Sequence, residues 1–155
     1  YIIGILVGLS PTYAKKLGIQ GTVEDATSVM LCYSGLVFGD ILSGWLSNQL
    51  RSRRLIFLIF YIMCILSITL YLTLTGGSLF MFNLLIFSLG FSVGFWAIFV
   101  TVASEQFGTN LRATVTTTVP NFVRGSLVLV VLIFNFFYKS LSIDFIISTA
   151  IVGVL

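Results

Sequence analysis

Two charged residues lie far inside long apolar stretches of the sequence. Asp40 is followed by Arg51 eleven positions later, and Arg124 follows Arg112 by twelve positions. At 1.5 Å per helical residue these separations are about 16 and 18 Å, which puts both charges near mid-membrane at matching depth. A lone charge at that depth costs at least about 2.5–3.5 kcal/mol. We therefore predict that Asp40 and Arg124 pair, directly or through water, and that their helices are neighbours.

Arg124 also belongs to a polar face of its helix. Thr114, Thr117, Asn121 and Arg124 recur at helical spacing, with Pro120 among them. Lipid cannot satisfy such a face, which therefore lines a cavity or a polar contact. The alternative is a buried ion pair whose polar neighbours only fix helix packing.

These polar groups suggest a path for a solute or an ion. An arginine can hold an anionic group of a substrate through paired hydrogen bonds. Because the chain has no His, the candidate carriers of a coupled proton are Asp40, within the apolar stretch, and Glu105. The residues predicted to form the substrate and ion pathway are Asp40, Thr117, Asn121 and Arg124.

The composition explains where these residues are held. Of 155 residues 58% are hydrophobic and 8% are charged, whereas a soluble domain carries about a quarter charged residues. This excludes an ordinary soluble enzyme, and the net charge of +3 is too small for nucleic-acid binding. There is no His, and Cys32 and Cys64 lie in apolar runs away from metal-ligand spacing. We predict a lipid bilayer as the environment, with no metal, no cofactor and no catalytic residue.

The apolar runs predict an all-α, polytopic membrane protein. A bilayer core about 30 Å thick needs about 20 apolar residues per helix. Polar breaks divide the chain into six helical segments, the first and last too short to span, so we expect a chain cut from a longer protein. The predicted segments are about 1–14, 26–50, 55–74, 79–104, 113–138 and 143–155.

The basic residues predict an orientation. If the helices alternate, the loops around 51–54 and 105–112 share one side and carry four arginines, while Lys15, Lys16 and Lys139 lie opposite. The cluster of three arginines at Arg51–Arg54 favours the cytoplasm for the first side. We expect a multi-pass protein of the plasma membrane, the inner membrane in a bacterium.

Glycines at intervals of four mark a helix contact. Gly35 and Gly39 form one GxxxG pattern, and Gly90 and Gly94 form another. Small residues at this spacing let two helix backbones approach closely. We predict a packing role for all four.

Two polar segments resemble a known family. GWLSNQLRSRR, Gly44–Arg54, resembles the loop between helices two and three of each half of major facilitator superfamily transporters. Asn48 stands where that family prefers Asp, and Arg51 where it prefers Gly. EQFGTNLRAT, Glu105–Thr114, resembles the segment between helices ten and eleven of sugar and organic-acid porters, with Gly108 in place of Pro. The helix that follows continues this resemblance through Gly125.

The resemblance implies a fold, a function and a gate. It implies the C-terminal half of a twelve-helix transporter, partnered by a missing N-terminal six-helix half, with the spans equivalent to helices seven to twelve. It also implies a cytoplasmic charge network that is broken and remade as the halves rock, although the arginines alone could be only a topology signal. The implied gate residues are Gly44, Asn48, Arg51, Arg53, Arg54, Glu105 and Arg112.

We therefore predict a secondary active transporter of a small polar metabolite, a sugar or an organic acid, driven by a proton or by exchange. The alternative is a transporter-like sensor or assembly subunit without turnover. A membrane enzyme is disfavoured because the chain has no His and no paired intramembrane carboxylates. ATP is not expected as the energy source, because there is no Walker A motif.

Overall fold

The computed structural model describes residues 1–154, apart from the side chain of Ser140, and this part of the chain is helical with no β-strand. The all-α prediction is confirmed. The elements are a π-helical segment Ile2–Val7, α1 (Ser10–Lys16), α2 (Asp25–Leu50), α3 (Arg53–Thr73), α4 (Leu79–Ser92), α5 (Trp96–Glu105), α6 (Thr109–Asn135), a π-helical turn Phe136–Ser140 and α7 (Phe145–Val154).

Within residues 1–154, four stretches are long and apolar enough to cross a membrane. They are Asp25–Leu50, Arg53–Thr73, Leu79–Glu105 and Thr109–Lys139, and α7 is a shorter apolar helix. The stretch Leu79–Glu105, called the fourth span because it corresponds to the fourth of the six predicted segments, is not one continuous helix: α4 ends at Ser92 and α5 begins only at Trp96. The sequence predicted an uninterrupted helix over 79–104, so this break is a correction. Gly94 lies within this break, where its backbone is too close to Gly39 of α2 for any side chain at that position.

The connection between α5 and α6 is shorter than the predicted loop over 105–112. Glu105 is the last residue of α5 and Thr109 the first of α6, so Arg112 lies in the first turn of a helix. Thr109 and Asn110 had suggested a loop because both are polar. Polar residues are favoured in the first turn, however, since its backbone N–H groups lack intrahelical partners.

The two sets of basic residues lie at opposite ends of the bundle. At one end, the Gly76 amide donates to the Leu17 carbonyl at 2.8 Å. At the same end the Lys16 ammonium lies 5.1 Å from the centre of the Phe145 ring. Arg53 and Glu105 meet at the other end. The helices therefore alternate in direction, while the assignment of the arginine end to the cytoplasm stays a prediction.

The core forms around the contact between α2 and α4. The π-helical segment Ile2–Val7 packs on both α2 and α4. In addition, α3 packs on α4, and α5 packs on both α2 and α6. The larger apolar cluster has Tyr13, Tyr71 and Phe82 at its centre. A smaller cluster of Ile56, Phe60 and Ile98 lies between α3 and α5.

The four predicted packing glycines all lie where α2 meets α4 and the break that follows α4. A Cβ atom on Gly35 would meet the Phe87 carbonyl, and one on Gly90 would meet the Cys32 carbonyl. A Cβ on Gly39 would lie 2.8 Å from the Gly94 Cα, closer than real Cβ atoms approach. The two backbones are therefore in direct contact, an approach that only glycine permits at these positions.

Candidate functional site

The polar face of α6 lines an open groove of about 590 Å³. The helix lies at the edge of the bundle. Only 6% of its most apolar 18-residue stretch is buried, against 22–39% of the corresponding stretches in the other three candidate spans. Two predicted pathway residues, Thr117 and Asn121, contribute to the groove. Its lining is Thr117, Thr118, Asn121, Phe122, Gly125, Ser126 and Leu129.

Two hydroxyl groups of this groove are oriented by their own helix. Thr117 Oγ1 donates to the Thr114 carbonyl at 2.9 Å, and Ser126 Oγ donates to the Val123 carbonyl at 2.8 Å. Because these two hydroxyl protons are used within the helix, the oxygens of Thr117 and Ser126 remain as hydrogen-bond acceptors. Asn121 adds an amide that can both donate and accept. The groove therefore suits a polar solute that carries hydrogen-bond donors.

Arg124 lies on α6, one turn beyond Asn121, and its side chain is exposed beside the groove rather than lining it. Arg124 and Asp40 form no direct ion pair: among residues 1–154 the structure forms one ion pair, Arg53–Glu105, and it involves neither residue. The helices that carry Asp40 and Arg124 each pack on α5. Matching depth fixes a position along a helix axis but not around the bundle, so it does not by itself imply a direct pair.

Asp40 has a different partner. Its carboxylate Oδ1 accepts a hydrogen bond from the Ala97 backbone amide in the first turn of α5, at 3.2 Å. The Ser43 hydroxyl donates to the Asp40 carbonyl at 3.0 Å. Of the four predicted pathway residues, three therefore lie on α6 and Asp40 lies apart, at the break in the fourth span.

A second groove, of about 530 Å³, lies near the arginine end of the bundle. Four of the predicted gate residues, Gly44, Asn48, Arg51 and Arg53, line it. The full lining is Gly44, Trp45, Ser47, Asn48, Arg51, Arg53, Ala97, Ile98 and Thr101. The groove therefore joins the end of α2 to one face of α5.

Arg51 makes the turn between α2 and α3. Its backbone is left-handed, with φ of 48° and ψ of 23°, and it caps the C-terminus of α2. Glycine adopts this conformation without the Cβ strain that other residues carry. This geometry explains why glycine is favoured at this position in the transporter loops that the segment Gly44–Arg54 resembles.

The ion pair at this end links the two segments that carry the sequence resemblance. Arg53 Nη1 donates to Glu105 Oε2, and the two side chains are 43% and 45% exposed. Arg53 begins α3 and Glu105 ends α5, so the pair holds these two helix termini together. The other predicted gate arginines, Arg54 and Arg112, are exposed and take no part in this pair.

Sequence reasoning missed several residues of both grooves. Ser126 and Leu129 continue the face of Thr118 and Asn121 on α6, so an extended search at helical spacing would have found them. Ala97 and Thr101 carried no comparable signal. Their exposure to the second groove depends on the break before α5, which no Pro or polar run announces.

Comparison with known proteins gives one match. The family model described as Major Facilitator Superfamily matches residues 1–130. No curated protein and no solved structure matches the chain.

Proposed function

The chain belongs to the Major Facilitator Superfamily, a family of membrane transporters, and we propose that it forms one six-helix half of a secondary active transporter. The proposed cargo is a small polar metabolite, a sugar or an organic acid, moved with a proton or by exchange. The family match supports a multi-pass membrane transporter. The substrate class, the coupling and the second half are our proposals.

The observation that carries this proposal is the polar groove on α6. A helix long enough to span the bilayer presents Thr117 and Asn121 on an open face. The Thr117 hydroxyl is satisfied by its own helix, but the Asn121 amide at that depth is stable only against protein or in a water-filled cavity. We propose that a second six-helix bundle, the N-terminal half, covers this face and that the substrate passes between the two bundles.

Arg124 has a separate role in this proposal. It is exposed beside the groove, and an unpaired charge within the hydrocarbon is costly. A cavity shared with a second bundle supplies water or a polar partner. From that position its guanidinium can bind a carboxylate of the substrate in a bidentate manner, or donate a single hydrogen bond to a hydroxyl.

The second groove and the Arg53–Glu105 pair form the proposed gate. An exposed ion pair contributes only about 0.2–1 kcal/mol, so its formation and rupture can differ between two states of similar energy. Arg53 and Glu105 come from different helices, so relative movement of α3 and α5 breaks the pair. We propose that this end faces the cytoplasm, following the arginine cluster, and that the membrane is the plasma membrane.

Counterflow in proteoliposomes tests the proposal. The full-length protein is first screened for thermal stabilisation by a panel of sugars and organic acids, and each hit is then loaded inside the vesicles. Exchange of external labelled solute against the internal pool indicates a transporter. Thermal stabilisation without exchange indicates a sensor or assembly subunit and contradicts the proposal.

A further inference from the structure

We infer that Asp40 is a positioning residue whose carboxylate holds the N-terminus of α5, and with it the segment of the fourth span that carries Glu105. This role differs from the carriage of a coupled proton that the sequence suggested. It rests on one hydrogen bond, on the break in the fourth span and on the contact between two glycines.

The break creates a need for an acceptor. Between α4 and α5 the chain turns tightly, with the Gly94 amide donating to the Phe91 carbonyl at 3.0 Å and the Phe95 amide donating to the Val93 carbonyl at 2.7 Å. The N–H groups in the first turn of the next helix have no intrahelical acceptor. Ala97 is exposed and lines the second groove, so without a protein acceptor its amide depends on water in that groove.

The residue that normally supplies this acceptor cannot do so here. The N-cap of α5 is Phe95, whose side chain has no oxygen, and no side chain of its own helix caps it. N-cap side chains usually bond the amide of the second or third helical residue. Asp40 reaches the amide of Ala97, the second residue of α5, at 3.2 Å. A carboxylate from α2 therefore replaces the missing N-cap.

The approach of α2 to the break makes this bond possible. Gly39, the residue before Asp40, contacts Gly94 within the break, and any side chain at either position would collide with the other backbone. Asp40 is thereby held beside the first turn of α5. The Ser43 hydroxyl bonds the Asp40 carbonyl on the same side of α2.

The far end of α5 is held by a second charged group. Glu105 pairs with Arg53, and the eight residues from Ala97 to Glu105 span about 12 Å of helix. Between the two ends, Ile98 packs on Ile56 and Phe60 of α3. Loss of the Asp40 bond should therefore loosen α5 at its start and uncover Ile98. The consequence for gating rests on the proposed function, whereas the contact itself does not.

Thiol labelling tests the inference without any substrate. Ile98 is 6% exposed and borders the second groove, so a cysteine there should react slowly with N-ethylmaleimide while α5 is in place. The full-length protein carries Ile98→Cys with Cys32 and Cys64 replaced by Ala, and labelling is measured in membrane vesicles. We expect Asp40→Ala to raise the labelling rate about fivefold, because loss of one helix cap raises the population of the loosened α5 by about that factor.

The substitution Asp40→Asn distinguishes a positioning role for Asp40 from a role in carrying a proton. Its amide oxygen accepts the same hydrogen bond but carries no proton, so Asp40→Asn should label within about twofold of the parent, as expected for two equivalent caps. A matched control is Asp144→Ala. Asp144 Oδ1 accepts from the Ile146 amide at 2.8 Å at the start of α7, near the other end of the bundle. Its loss should leave labelling at Ile98→Cys unchanged.

The outcomes are decisive in both directions. Parent-like labelling in Asp40→Ala overturns the inference, as does an Asp40→Asn variant that labels as fast as Asp40→Ala. If Asp40→Ala fails to accumulate in the membrane, Asp40→Asn decides alone: a parent-like rate supports the inference and a raised rate overturns it. Because no solute is involved, these results stand whether or not counterflow is observed.

Discussion

Arg53 and Glu105, which are 52 positions apart in the chain, form an ion pair that joins the start of α3 to the end of α5. Each residue lies in one of the two segments that resemble transporter loops. The fold therefore brings together two polar motifs that the sequence could only place on the same side of a membrane. This contact connects the polar end of the bundle to the broken fourth span.

The ion pair can be tested by exchanging its charges. Arg53→Glu and Glu105→Arg should each reduce counterflow several-fold, because like charges then repel at the gate. The double exchange should restore much of the activity. The thermal midpoint should change little in all three variants, since exposed pairs contribute about 1 kcal/mol or less. A double variant no more active than the single ones would show that the pair does not act in gating.

The glycine contact between α2 and α4 predicts a large effect of a small substitution. Gly39→Leu should lower the free energy of unfolding by about 1–3 kcal/mol or more, since overpacking forces backbones apart. Thermal unfolding in detergent measures the effect. Gly44→Ala is the matched control on the same helix, because a Cβ there meets nothing within 4 Å. Equal midpoints for the two variants would rule out the close contact.

The turn at Arg51 predicts a stabilising substitution. Arg51→Gly should raise the free energy of unfolding by about 1 kcal/mol, because glycine adopts the left-handed backbone without strain. Arg54→Gly serves as the control, since Arg54 lies inside the first turn of α3, where glycine is unfavourable. Thermal midpoints should therefore move in opposite directions. A lower midpoint for Arg51→Gly would contradict the assigned turn.

Substitution of Arg124 should impair transport without impairing folding. Arg124→Ala should abolish counterflow in the full-length protein while membrane insertion and the thermal midpoint are retained, because the side chain is exposed. Arg124→Lys keeps the charge but loses bidentate binding, so partial activity is expected. Normal uptake by Arg124→Ala would remove this residue from the proposed pathway.

The sequence predicted those features that depend on local pattern. Apolar length identified the helices, and the spacing of Gly35 and Gly39 marked the face of α2 that meets α4. The recurrence of Thr117 and Asn121 marked the face that lines the α6 groove. Each of these signals is a regular spacing of residues along one helix, which can be recognised in a single sequence.

Features that depend on rotation around the bundle could not be predicted. Depth alone suggested that Asp40 pairs with Arg124, yet the Asp40 carboxylate bonds the backbone of α5. The break before α5 was also missed, because Val93, Gly94 and Phe95 are apolar and no proline precedes them. No residue type indicates that a backbone amide lacks a hydrogen-bond acceptor. The role of Asp40 as the acceptor for Ala97 could therefore be seen only in the structure.

The most direct test of the central claim compares Asn121→Leu with the unmodified full-length protein in counterflow, using the first solute that stabilises the protein in the thermal screen. Val123→Leu introduces the same side chain on α6 outside the groove lining and serves as the control. Substrate groups left without a partner cost about 1–3 kcal/mol, so Asn121→Leu should lower counterflow by about tenfold or more while Val123→Leu retains it. Equal counterflow in all three proteins would show that the polar face of α6 does not line the transport path.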